Sequence, residues 1–337
     1  MIGNNAYRSA PLLNAVNDAR AMESLFQQAG FSVELCTDAK RVDMLAALDR
    51  FSDAIQMPET KEVVFYYGGH AAQLEWRNYL LPVDAEVKSV NQIKERCIDL
   101  RILLARLSAA KGRTFIIILD ACRDNPFGGT YQPERKGLSQ FDAPVGSLLA
   151  YATSPGRSAS DGAGANGLYT ENLVRELSIR TVRFEDALKR VRLNVRLASR
   201  GAQIPWETTS LEDDFFLFSS GRKKLSDAEL EKQFEADVAA WTNIQKSQKT
   251  EDWVAYIRDF PNGRFCEIAQ IRLARLLAAT EGQPATGVAI STAGYAGSTD
   301  PANAEKSIPQ IQNEMEYDAL PKGKAYRDPK GNLRRKS

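Results

Sequence analysis

Residues 115–122 read FIIILDAC, and this stretch decides the fold class of the chain. Five consecutive apolar residues have the length of a strand that is buried on both faces, and polar and reactive side chains follow them directly. A second segment of the same kind, VVFYYGGH, occupies residues 63–70. Because such strands belong to parallel sheets that helices cover on both sides, the sequence predicts an α/β protein with a mostly parallel sheet.

Strand-like and helix-like segments alternate from residue 1 to about 220, which we interpret as one domain, 1–220. Apolar spacing and turn residues predict helices at 17–30, 42–55, 98–110, 169–177 and 184–197. Further strands are predicted at 31–36, 148–153 and 215–218.

The first residues, Met1 to Asn5, look like the end of an apolar strand that runs into a turn. Two interpretations stay open. The strand is short and lies at a sheet edge, or the start is placed too late and strand residues, with a signal peptide, lie upstream. The location is therefore left unknown: cytoplasmic for the sequence as given, periplasmic if a signal peptide precedes it.

Composition changes after residue 220. Residues 221–280 have a helical pattern, and residues 281–337 are rich in Gly, Ala, Pro, Ser, Asn and Lys, which predicts a disordered tail. The whole chain has 44 basic and 43 acidic side chains and a net charge of +1. That balance gives no reason to expect a nucleic acid or an anionic membrane as main partner, and no apolar run reaches the length of a membrane span. Four cysteines without a CxxC pair and a single histidine argue against a metal site.

Two reactive side chains follow the two buried strands, at the edge where parallel sheets hold their ligands. His70 ends the first segment, and Cys122 follows it by 52 residues at the end of the second. Taken alone, such a cysteine is more often buried and inert, and such a histidine is more often structural. Together, a thiol and an imidazole form a nucleophile and its base.

Ordered motifs across residues 1–218 resemble the caspase-like peptidases, and specifically the bacterial metacaspase-like branch. They include IGNNAY (2–7), LNAVNDA (13–19), YYGGH (66–70), NYLLPVD (78–84), DACRDNPF (120–127), YATSPG (151–156), GAQIPW (201–206) and FFLF (215–218). The resemblance implies a caspase-like fold and a peptidase that forms a thioester through a His70–Cys122 dyad. It also implies an oxyanion hole made by the backbone N–H groups of Cys122 and Ala71. The family usually has Gly at the latter position, and Ala would be strained there if φ were positive.

The resemblance further implies specificity for Arg or Lys before the cut, read by Asp18 and Asp120, with Asp161 as a further candidate. Paired carboxylates bind a guanidinium in a forked manner and repel an acidic side chain. The structural alternatives are that Asp18 caps a helix and that Asp120 caps a turn.

Remaining features concern processing, calcium and partners. The resemblance makes residues 128–146 a linker between a large-subunit-like and a small-subunit-like half. Arg135 and Lys136 form a dibasic site in this linker, which is either self-cleaved or simply solvated. No EF-hand pattern is present, and calcium activation, known for some metacaspases, cannot be read from the sequence. Residues 241–277 resemble half of a tetratricopeptide-like helical hairpin, either a site for a protein partner or an appendage packed on the peptidase. The expected partners are protein or peptide substrates. The alternative function is a catalytically weak caspase-fold scaffold.

Overall fold

The computed structural model describes residues 1–75, 77–87, 89–110, 112–122, 144–154, 164–218, 226–280, 325–327 and 333–335. Within these residues the strands are β1 (Ile2–Gly3), β2 (Cys36–Thr37), β3 (Glu62–Leu74), β4 (Arg77–Leu80), β5 (Ile98–Asp99), β6 (Thr114–Cys122), β7 (Ser147–Tyr151), β8 (Trp206–Thr209), β9 (Ala325–Arg327) and β10 (Leu333–Arg335). The helices are α1 (Ala15–Gln28), α2 (Arg41–Gln56), α3 (Val90–Arg96), α4 (Leu100–Ser108), α5 (Leu168–Leu177), α6 (Phe184–Ala198), α7 (Asp227–Ile244), α8 (Thr250–Asp259) and α9 (Cys266–Thr280).

The central sheet has the order β2-β1-β3-β6-β7-β8. Its first five strands pair in parallel, and β8 joins β7 in the antiparallel direction. The far end of β3 turns into a short antiparallel extension with β4 and β5. The predicted α/β class with a mostly parallel sheet is confirmed.

Helices cover both faces of the sheet, as predicted. On one face, α2 and α4 pack on the odd-numbered core residues of the two long strands, such as Phe65 and Ile117. On the other face, α1, α5 and α6 pack on the even-numbered ones, such as Tyr66 and Ile118. The apolar runs of β3 and β6 are continuous in the sequence because alternate residues serve two different cores.

Several details differ from the strand predictions. Only Cys36–Thr37 of the segment predicted at 31–36 reaches a strand, as β2. β1 lies between β2 and β3, so the interpretation that placed it at a sheet edge is wrong. Residues 215–218 form no strand: Phe215, Leu217 and Phe218 are buried against α5 and α6. The sheet ends instead at β8, which the sequence did not predict because its alternate residues are not clearly apolar.

The three C-terminal helices pack on the peptidase-like part through α6. Leu193 of α6 lies in one buried cluster with Trp253 and Tyr256 of α8, and residues of α9 complete that cluster. Arg192 Nη1 of α6 lies 3.5 Å from Gln270 Oε1 of α9. This packing agrees with the appendage interpretation. The likeness to tetratricopeptide-like repeats and the domain boundaries stay predictions.

In the part of the chain that the structure describes, no helix is both long and apolar enough to span a membrane. Within the predicted disordered tail, β9 and β10 pair antiparallel. The other residues of that tail lie outside the described ranges.

Candidate active site

Two neighbouring strands carry the predicted dyad positions. The parallel register of β3 and β6 pairs His70 with Cys122, the last residue of β6. Neighbouring strands of a sheet lie about 4.8 Å apart, so the register brings these two backbone positions next to each other. The strand that carries His70 is longer than predicted, because β3 continues past Gly68 and Gly69 to Leu74.

The imidazole of His70 is buried, with 3% of the residue exposed. Its Nε2 lies 2.7 Å from the carbonyl oxygen of Ala10, in the loop between β1 and α1. A carbonyl oxygen can only accept, so Nε2 is the nitrogen that carries the proton. In the neutral form of the ring, the lone pair then lies on Nδ1.

Ala71 lies in β3 opposite Leu80 of β4. The N–H of Leu81 donates to the carbonyl of His70 at 3.0 Å, so His70 directs its carbonyl towards β4. The N–H of Ala71 therefore lies on the other edge of β3, which faces β6 and Cys122. Among the described non-glycine residues, positive φ occurs at Asp38, Glu75 and Arg200 only, so the strain considered for an alanine at position 71 is not present.

The carboxylate of Asp18 holds the start of α5. Its Oδ1 accepts hydrogen bonds from Asn166 Nδ2 at 2.8 Å and from the N–H of Gly167 at 2.9 Å. Gly167 is the residue that caps α5. Asp18 itself is 4% exposed, in the first turn of α1. The sequence had suggested that Asp18 caps its own helix, but these two contacts are to the start of another one.

The carboxylate of Asp120 also contacts the first turn of α5. Its Oδ2 accepts a hydrogen bond from Thr170 Oγ1 at 2.7 Å and from Tyr66 Oη at 3.4 Å. Tyr66 Oη lies 2.9 Å from Thr170 Oγ1, so the three groups form a triangle. Tyr66 and Thr170 are fully buried, and Asp120 is partly exposed.

Both aspartates act electrostatically on the hydroxyl of Tyr66. Burial first, and then the charges of Asp120 and Asp18, raises the pKa of Tyr66 well above its usual value. Asp120 precedes position 122 of β6 by two residues. The structure thus gathers both acidic candidates around the start of α5.

A family model described as "Caspase domain" matches residues 1–216. The chain belongs to the caspase family. This membership makes it a cysteine-type peptidase by family, with proteins as the substrates that the family implies. No curated protein matches the chain.

Several contacts of this caspase domain were not foreseen from the sequence. They are the hydrogen bonds of the Ala10 carbonyl with His70, of the Thr170 hydroxyl with Asp120, and of the Asn166 amide with Asp18. Every residue has a backbone carbonyl, so the residue type at position 10 does not predict the contact of Ala10. A threonine is common in the first turn of a helix, so Thr170 does not indicate a functional contact either. Three predicted residues, Asp161, Arg135 and Lys136, lie outside the described residues.

The other cysteines of the caspase domain and its helical region differ from a reactive thiol. Burial raises the pKa of Cys97 to about 12 and also raises those of Cys36 and Cys266. A raised pKa leaves little thiolate at neutral pH, and the thiolate is the reactive form. Among the described residues, no group of three or more His, Cys, Asp or Glu side chains is arranged to hold a metal ion.

Proposed function

We propose that this caspase domain is a cysteine endopeptidase in which Cys122 is the nucleophile and His70 is its base. The observation that carries the proposal is the strand register, which pairs residues 70 and 122 at the edge of the sheet. The contact of Nε2 with the Ala10 carbonyl supports it, because it leaves Nδ1 as the basic nitrogen.

The proposed reaction has two halves. His70 takes the proton of the Cys122 thiol, and the thiolate attacks the substrate carbonyl carbon. When the C–N bond breaks, the imidazolium gives that proton to the leaving amine, and a thioester remains on Cys122. Water then attacks the thioester while His70 accepts its proton, and the proton returns to the departing thiolate. The products are a carboxylic acid and an amine, and the enzyme is unchanged.

The oxyanion that forms in each half needs two hydrogen-bond donors. We assign them to the backbone N–H groups of Cys122 and Ala71. Two features of the described backbone support this assignment: the N–H of Ala71 lies on the edge of β3 that faces β6, and its φ carries no strain. The side chain of Ala71 packs into the core on the face of the sheet opposite to the His70 side chain, so an alanine serves as well as a glycine at this position.

The substrate residue before the cut is proposed to be Arg or Lys, as in the metacaspase-like branch. Asp18 and Asp120 both contact the start of α5 and both raise the pKa of Tyr66, which supports a shared acidic pocket. A partly dry pocket with two carboxylates favours a cation and disfavours an acidic side chain. Asp161 is proposed as a further pocket residue from the sequence alone.

Self-cleavage at Arg135 and Lys136 follows from the same specificity, because the linker is tethered to its own active site. A response to calcium and a protein partner at the C-terminal helices are further proposals. The alternative function, a catalytically weak scaffold, predicts that the protein binds its partners but does not hydrolyse peptides.

The experiment is a kinetic panel of three peptides that differ only in Arg, Lys or Asp before the cut. Wild type should hydrolyse the Arg and Lys peptides, and Cys122→Ala should not. Cys36→Ala is the matched control, because Cys36 lies in β2 away from the dyad, and it should retain wild-type rates. Absence of turnover in the wild type would favour the scaffold.

A further inference from the structure

We propose that Tyr7 is a positioning residue for His70, acting through its hydroxyl group. The inference rests on the proposed function, since it assigns a role around the proposed base. Tyr7 lies in the loop between β1 and α1 and is 7% exposed. Its ring is centred 4.5 Å from the imidazole of His70.

The hydroxyl of Tyr7 fills a gap in the hydrogen bonding of β3. β1 pairs with β3 only up to Gly68, and β4 pairs with it only from Ala71 onwards. Between these two partners, the N–H of His70 donates to Tyr7 Oη at 2.9 Å. A side chain therefore replaces the missing strand at the residue that carries the imidazole.

The hydrogen bonds around this gap form a continuous chain. Tyr7 Oη accepts from His70 and donates to the carbonyl of Leu81 at 3.0 Å. Tyr67 Oη donates to the carbonyl of His70 at 2.6 Å and lies 3.2 Å from Tyr7 Oη. Burial raises the pKa of Tyr67 well above its usual value, so its hydroxyl stays protonated as this donation requires. Two tyrosine hydroxyls thus fix both backbone polar groups of His70.

The space around Gly69 shows how closely the hydroxyls of Tyr7 and Tyr67 pack against the backbone of β3. Its φ is +156°, and a Cβ placed there would lie 2.6 Å from Tyr7 Oη and 2.8 Å from Tyr67 Oη. Only a glycine leaves room for both hydroxyls beside residue 70.

The same loop also holds the imidazole ring. Ala10, whose carbonyl contacts Nε2 of His70, follows Tyr7 by three residues. The N–H of Tyr7 donates to the carbonyl of Asn5 at 2.8 Å, and Leu12 donates to the same carbonyl at 3.0 Å, so the loop is a closed turn. Tyr7 anchors this turn to β3 and so presents the Ala10 carbonyl to the ring. Loss of the hydroxyl should loosen both the backbone of His70 and the group that selects its tautomer.

His70 is the only histidine of the chain, so its ring can be observed alone. Imidazole ¹⁵N NMR of the full chain, in a Cys122→Ala background, reports its tautomer without any need for turnover. With Tyr7 intact, the ring should be the Nε2–H tautomer at neutral pH, and Tyr7→Phe, which keeps the aromatic ring, should give a mixture of tautomers. In the Cys122 enzyme, Tyr7→Phe should lower kcat about tenfold with KM changed less than about twofold, as expected for a misplaced base.

Tyr256→Phe is the matched control. Tyr256 is also a buried tyrosine whose hydroxyl is hydrogen-bonded, but it contacts Asp237 in the helical region. The Tyr256→Phe substitution should leave both the tautomer of His70 and kcat unchanged. If Tyr7→Phe fails to fold, Tyr67→Phe is used in its place, because it removes the hydroxyl that contacts Tyr7 Oη and one of the two donors to the His70 carbonyl. It should shift the tautomer in the same direction.

An unchanged tautomer and an unchanged kcat in the folded variant would overturn the proposal for Tyr7. Equal loss in Tyr7→Phe and Tyr256→Phe would overturn it too, since that result shows general destabilisation. A wild type that turns over no peptide would refute the proposed function instead, and the NMR comparison would still decide the role of Tyr7.

Discussion

Asparagine in place of Asp120 or Asp18 removes one negative charge from the proposed pocket while it keeps the shape of the side chain. In Asp120→Asn, the amide oxygen can still accept from Thr170, whose Oγ1 lies 2.7 Å from the wild-type carboxylate. In Asp18→Asn, the amide oxygen can likewise accept from Asn166 and Gly167. The hydrogen bonds that hold α5 can thus persist, and the charge is the main loss.

The expected magnitude follows from these contacts. A hydrogen bond to a charged group is worth about 1.5 to 3 kcal/mol, and each ~1.4 kcal/mol is a tenfold factor in rate. Each substitution should therefore lower kcat/KM for the Arg peptide by roughly ten- to a hundredfold. The loss should be smaller for Lys, which cannot form the forked contact. Stability should fall by only about 0.3 to 1 kcal/mol for Asp18→Asn, because the carboxylate sits at the start of α5 and loses its interaction with the helix dipole.

The assay is the three-peptide panel, with thermal unfolding of each variant alongside. Glu171→Gln is the matched control: it removes one negative charge from the first turn of the same helix, but residue 171 is exposed. It should leave the ratio of Arg to Lys turnover unchanged.

Two results would refute the reasoning. A wild type that prefers the Asp peptide would contradict an acidic pocket entirely. Variants that lose Arg, Lys and neutral substrates to the same extent would show that Asp18 and Asp120 support α5 or the dyad and do not read the substrate.

Three other predictions concern packing, reactivity and processing. Gly69→Ala should destabilise the fold by about 1 to 3 kcal/mol, because its Cβ would meet Tyr7 Oη at 2.6 Å; an unchanged thermal midpoint would count against the close packing described for β3. Iodoacetamide at neutral pH should label Cys122 and spare Cys97, whose pKa burial raises to about 12, and peptide mapping that finds the reverse would be inconsistent with both assignments. Incubated wild type should yield fragments of roughly 15 and 22 kDa from a cut after about Arg135, given 37.3 kDa for 337 residues, whereas an intact chain that still cleaves peptides would disprove self-processing.

The sequence was informative where hydrophobic runs and reactive residues coincide. The continuous apolar runs of β3 and β6 specify buried parallel strands, and the residues that follow them predicted the pairing of positions 70 and 122. The five helices that were predicted individually match α1, α2, α4, α5 and α6 to within a few residues for a similar reason, since their apolar spacing is regular, whereas the short helix α3 was not predicted.

Contacts made by loops and by isolated polar groups could not be predicted in this way. Phe215 and Leu217 have the composition of a strand, yet they pack against helices, because a hydrophobic run does not reveal what covers it. The carbonyl of Ala10 and the hydroxyl of Tyr7 meet His70 only after the chain has folded, across about 60 residues of sequence. The contacts that position His70 therefore depend on how distant segments pack together, and the local sequence does not reveal them.

The most direct test of the Cys122–His70 assignment is covalent trapping with a peptide chloromethyl ketone that ends in Arg, followed by intact mass measurement and peptide mapping. The dyad predicts one adduct per chain, located on Cys122, absent in Cys122→Ala and formed much more slowly in His70→Ala. Cys36→Ala should react like the wild type. An adduct on another residue, or equal labelling of wild type and His70→Ala, would contradict the assignment of Cys122 and His70 as nucleophile and base.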